Sequence, residues 1–143
     1  MITPTLSAFV FLAAVLLASC QAADDARPAA TITGRTWTLT ALNGKPLALA
    51  ANQRVPTLEL QGDTPRVAAF GGVNRLNGTY TLAGQALSIG ALVATRMAGS
   101  QEAMATEATF SRVLGGVQGW SVVDGQLELT GTAGTARFAA PAP

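Results

Sequence analysis

Residues 120–130 read WSVVDGQLELT. Trp120–Val123 and Gln126–Thr130 are rich in strand-forming residues, and Asp124-Gly125 between them suits a two-residue turn with positive φ. The stretch predicts a tight antiparallel hairpin, and the same grammar repeats outward from it. Downstream, Ala136–Ala139 supplies a last strand. Upstream, Thr36–Leu42 begins with polar–apolar alternation and ends at the turn dipeptide Asn43-Gly44. Val55–Leu60 is a second strand, with Pro56 at its start or on a sheet edge. Gly62–Pro65 is a turn and Arg66–Phe70 a strand. Gly71–Gly78 is too rich in Gly and Asn for regular structure, and Thr79–Leu82 and Ala86–Ile89 flank a turn at Ala83-Gly84-Gln85.

One segment breaks the β pattern. In Ser100–Val117, the positions Ala103, Phe110, Leu114 and Val117 recur at helical spacing, with Met104 and Val113 widening the apolar stripe. Ser100 caps the start, Glu102 suits the positive end of the dipole, and Gly115-Gly116 stop the helix. Glu107, five residues from Glu102, reads as solvated. Seven or eight short strands and one helix predict a mainly β (α+β) fold. The expectation is a single small antiparallel meander sheet curling toward a barrel, with the helix plugging an open end or covering a face. Trp37, Phe70, Tyr80, Leu87, Ile89, Phe110, Leu114, Trp120, Leu127, Leu129 and Phe138 are the expected core. Leu58–Gly62 with Arg66–Phe70 parallels Leu127–Gly131 with Arg137–Ala140, which suggests two equivalent hairpins in one sheet.

Composition narrows the chemistry. The chain has 143 residues, 9 Lys and Arg against 8 Asp and Glu, no His and one Cys. A net charge of +1 sets up no field to gather nucleic acid. Without His, the Ser-His-Asp triad and His-ligated metal sites are excluded, and one Cys allows no internal disulfide. No cofactor or metal is expected. With only 12% charged residues and a mean hydropathy of +0.34, the chain does not read as disordered.

The N-terminus reads as an address. The first charged side chain is Asp24, and Ala8–Ala18 is an apolar run of 11 residues. A spanning helix needs about 20, so the run fits the core of a secretory signal over residues 1–19. It ends in Leu17-Ala18-Ser19-Cys20, which resembles a bacterial lipobox. Small residues precede the cut, and the only thiol of the chain stands where lipidation needs it. Gln21 follows, which resembles outer-membrane sorting with the domain on the periplasmic face. Residues 20–35 read as a flexible tether, 36–138 as the folded domain and 139–143 as a disordered tail.

Ordered blocks of the folded part resemble the META domain, the HslJ-like heat-shock family. They are Trp37-x-Leu39 with Leu42-Asn43-Gly44, the run Gly71–Tyr80 (GGVNRLNGTY), Leu87-Ser88-Ile89-Gly90, and Ala94-Thr95-Arg96-Met97-Ala98. The resemblance implies a small β-barrel-like domain with one helix. It also implies a non-enzymatic envelope or secreted protein of stress-response or envelope-maintenance type. Val73 and Gly99 stand where the family often has Cys, so no thiol role carries over.

The motif residues Gly71, Gly72, Asn74, Arg75, Asn77, Gly78, Tyr80, Thr95, Arg96 and Met97 form the candidate recognition set. They read foremost as a tight corner held by side-chain to backbone hydrogen bonds, with Asn74 and Asn77 suited to left-handed φ. The alternative is a small polar site in which Arg75 and Arg96 meet a carboxylate or bind an anion together. Glu59 and Glu128 alternate with leucines and are expected on the solvent face, not as an acid–base pair. The expected partners are the membrane, through the lipid, and either an unidentified envelope protein or a small apolar ligand held in the barrel. An inhibitor or interaction module for an envelope or secreted enzyme is the other open reading.

Overall fold

A computed structural model describes residues 31–142; residues 1–30 and Pro143, which include the signal segment, Cys20 and most of the tether, lie outside the described residues. The chain order is β1 (Thr36–Leu42), β2 (Lys45–Pro46), β3 (Thr57–Leu60), β4 (Arg66–Phe70), β5 (Arg75–Ala83), β6 (Ala86–Ile89), β7 (Val93–Ala94), α1 (Gln101–Gly115), β8 (Val117–Val123), β9 (Gln126–Gly131) and β10 (Gly134–Ala139). Successive strands pair antiparallel from β3 to β6 and from β8 to β10. β1 pairs with both β3 and β10, so the sheet closes into a barrel of eight strands, with β2 and β7 appended to β1 and β5. The β1–β10 ladder carries a register shift between Leu39 and Ala41. A bulge of this kind sharpens the local bend that closure requires.

Local chemistry makes the hairpins. Asn43 (φ 51°) with Gly44 (φ 75°) and Asp124 (φ 52°) with Gly125 (φ 75°) both take two consecutive positive φ values, the turn whose twist matches the flanking strands. The two similar hairpins are β3–β4 and β9–β10, and β1 bridges them. Their arginines are not equivalent, however. Glu128 faces Arg137, whereas Glu59 faces Ala68.

Period-two alternation fills the barrel. Leu58, Leu60, Val67, Leu76, Leu87, Leu127, Leu129 and Phe138 are buried, and so are Phe110, Val113 and Leu114 of the helix. Phe110 meets Phe138 with ring centroids 6.1 Å apart. The interior is therefore filled largely by these apolar side chains. Ser100 caps α1 by accepting from the Ala103 N–H at 3.2 Å.

Several expectations need correction. Phe70, Tyr80 and Trp120 are half-buried and lie around the core. Tyr80 donates its hydroxyl to Gln61 O at 2.6 Å, and Trp120 Nε1 donates to Gly84 O at 2.9 Å, so each ring keeps a polar end outside. Met104 is exposed. Arg75–Gly78 is regular strand, the first half of β5, because β4 on one side and β7 on the other supply ladder partners. Ordered structure also begins before Thr36. Ile32 is buried, its carbonyl accepts from Trp37 Nε1 at 2.9 Å, and Thr33 bridges Leu60, so the tether's last residues belong to the barrel. At the other end, Ala139 pairs with Thr38 and belongs to β10, not to a tail.

Candidate functional site

The turn between β4 and β5 runs from Gly71 to Asn74, closed by the Gly71 N–H donating to Asn74 O at 2.9 Å. The side chain that organises it comes from the helix. Glu107 is 7% exposed, and its Oε2 accepts from the backbone N–H of Val73 (3.0 Å) and Asn74 (2.5 Å). Its Oε1 accepts from Asn74 Nδ2 at 2.7 Å. Asn74, 3% exposed, spends the rest of its amide on the segment after β7. Its Oδ1 accepts from Thr95 Oγ1 (2.9 Å) and from the Met97 N–H (2.7 Å), and its Nδ2 also donates to Met97 O (3.3 Å). One amide and one carboxylate thus tie together the β4–β5 turn, the 95–97 segment and α1. A buried carboxylate with N–H donors on both oxygens has its hydrogen-bonding needs met.

The glycines follow from this arrangement. A Cβ on Gly71 would lie 2.6 Å from Glu107 Oε2, so only glycine lets the carboxylate approach the turn. Gly72 has φ 111°, a conformation other residues resist. A Cβ on Gly78 would lie 2.9 Å from Ala91 O, so glycine there lets the chain leading into β7 lie against β5.

Of the expected set, Gly71, Gly72, Asn74, Thr95 and Met97 converge here. Arg75 is adjacent, with its N–H donating to Thr95 Oγ1 at 3.1 Å. Asn77 is exposed on β5, and Tyr80 lies further along the strand against Gln61. Neither Asn74 nor Asn77 takes a positive φ; Asn43 and Asn52 do. Arg75 and Arg96 are exposed, and among the described residues the one ion pair joins Arg137 to Glu128 at 2.9 Å. Glu59 and Glu128 are half-buried rather than fully solvated.

Glu107 is the residue that sequence reasoning placed wrongly. Its position was legible: 103, 107, 110 and 114 follow the same helical stripe as the apolar residues. Charge argued for solvent, and the turn's free N–H groups overrode it. Val73 and Gly99 also meet: a Cβ built on Gly99 would lie 3.4 Å from Val73 Cβ and 2.6 Å from its Cγ2. The valine isopropyl group occupies the room that a side chain at 99 would take.

Beside the corner, on the barrel's outer face, lies an open cleft of about 690 Å³. Residues 50–54 form one wall, Phe70 and Arg75 the floor, and residues 97–100 the other wall. Among the described residues, no group of three or more His, Cys, Asp or Glu gathers where it could hold a metal ion.

A closed antiparallel barrel, plugged by one helix and braced at a glycine–asparagine corner, is the class of domain these features define. The family model of the META domain matches residues 30–142, and the chain belongs to that family. A protein from Burkholderia xenovorans, solved by NMR, is similar over 78% of this chain and 85% of its own, with 26% identity and a TM-score of 0.64. A second NMR structure is similar over 76% of this chain and 91% of its own, with 22% identity and a TM-score of 0.61, and shares the fold. No curated protein matches the chain.

Proposed function

We propose that the protein is a lipid-anchored component of the cell envelope that acts by binding, without catalysis, in stress response or envelope maintenance. The anchor is Cys20, in the segment Leu17-Ala18-Ser19-Cys20, and Gln21 favours the outer membrane with the domain on its periplasmic side. Two acyl chains hold a protein firmly, at about 0.8 kcal/mol per buried methylene. The observation that carries the binding role is the saturation of Glu107: three N–H donors occupy both oxygens, so the buried acid of the motif serves as a brace. General acid–base work needs a carboxyl group free to reach the proton it moves. The interaction-module reading is favoured over an apolar ligand in the barrel, because a cleft of about 690 Å³ lies open on the outer face.

The test is affinity capture of the mature protein from envelope extracts, with mass spectrometry of its N-terminus and of whatever copurifies. The expected result is a diacylglyceryl-modified Cys20 and a reproducible protein partner. An unmodified Cys20 refutes the anchor, and turnover of a substrate by the purified protein refutes the non-catalytic role.

A further inference from the structure

The cleft beside the corner has a chemistry of its own. Ala69 and Leu76 point into the core, so their neighbours Phe70 and Arg75, opposite each other across β4 and β5, point outward. The Arg54 guanidinium lies 4.4 Å from the Phe70 ring centroid, a cation–π contact that holds it over the cleft floor. Neither Arg54 nor Arg75 has a carboxylate partner among the described residues, and no acidic residue lines the cleft. Gln53, in the wall, accepts at its Oε1 from the Ala50 N–H at 3.1 Å. The lining thus offers two cations around an apolar floor.

The far wall adds an apolar foothold: Met97, 64% exposed, lines the cleft, and its backbone is held to the corner by its N–H donating to Asn74 Oδ1 at 2.7 Å.

We propose that this cleft docks an extended acidic segment of a partner protein. Carboxylates of the segment pair with Arg54 and Arg75, and its apolar side chains rest on Phe70 and Met97. A small inorganic anion would meet the arginines but leave the apolar floor unused. The inference rests on the binding role proposed above and not on the lipid anchor.

The experiment measures fluorescence anisotropy of a labelled dodecapeptide alternating glutamate with valine, added to the purified full chain in mild detergent, with detergent alone as blank. The expected result is saturable binding that weakens about tenfold in the R54Q/R75Q double variant, as two partly exposed charge contacts supply. The same loss is expected for a peptide with glutamine in place of glutamate, and no change for Arg96→Gln, which lies outside the cleft lining. Absence of binding, or equal affinity of the double variant, overturns the proposal. Capture of envelope partners separates the two readings. If the double variant fails to bind peptide yet captures the same partners, the groove is overturned and the binding role stands. If the wild type binds peptide but captures nothing, the groove stands and the broader role falls.

Discussion

At Gly71 a single hydrogen atom in place of a methyl group decides whether a carboxylate can enter. The Glu107 side chain occupies the space a Cβ at 71 would need, and three N–H groups of the turn and Asn74 depend on it. Gly71→Ala is therefore expected to cost about 2 kcal/mol, the usual range for overpacking a filled site. Glu107→Ala is expected to cost about 3 kcal/mol, because it strands buried donors as well as removing packing. The two costs are coupled: with Glu107 truncated, the alanine at 71 has room, and its penalty falls to a fraction of its value. Urea midpoints of the four proteins at constant slope measure this. Additive costs would show that the steric argument is wrong. The corner's glycines and Asn74 were legible as a tight, hydrogen-bonded unit because their residue types permit little else. The partner was not, because nothing local to residues 71–74 says that the acid completing their bonds stands 33 residues away.

Among elements, the hairpins at Asn43-Gly44 and Asp124-Gly125 could be read from sequence because two residues fix each turn. The helix could also be read, from its spacing and its Ser100 cap. β7 and the first half of β5 could not. Val93-Ala94 is too short to show a period, and Arg75–Gly78 becomes strand only because neighbours arrive on both sides. The junction of the β4–β5 turn with the segment before α1 gives a second test. Val73 and Gly99 stand with Cβ positions 3.4 Å apart, near the separation a disulfide needs. The pair V73C and G99C is expected to oxidise spontaneously and to raise stability by about 3 kcal/mol through the loop it closes. Thiol titration, with thermal melts in the presence and absence of reductant, reads both. Free thiols under air would show that the two segments do not hold this approach in solution.

Across the whole molecule, ring closure is the property least visible in sequence. Alternation announces strands with a buried face, and tight turns announce neighbours. That β1 meets β10 depends on the accumulated twist and on the register shift within the β1–β10 ladder. The entry of the chain was misjudged for the same reason. Ile32 sits in a Thr- and Gly-containing stretch without period, yet it is buried and its carbonyl takes the Trp37 N–H. Ile32→Ala is expected to destabilise the whole barrel by about 2–4 kcal/mol, within the range for emptying a packed site. A frayed tether would lose nothing, so a melting temperature within error of the wild type would return Ile32 to the tether.

The pairing of β1 with β10 sets the time at which this domain is able to finish folding. The last-made strand, residues 134–139, lies between β9 and the first-made strand. A nascent chain lacking its C-terminal segment keeps β1 and β9 with bare hydrogen-bonding flanks, however long it waits. A chain that emerges N-terminus first thus stays pliable until residues 134–139 follow, and commits to its native shape only then.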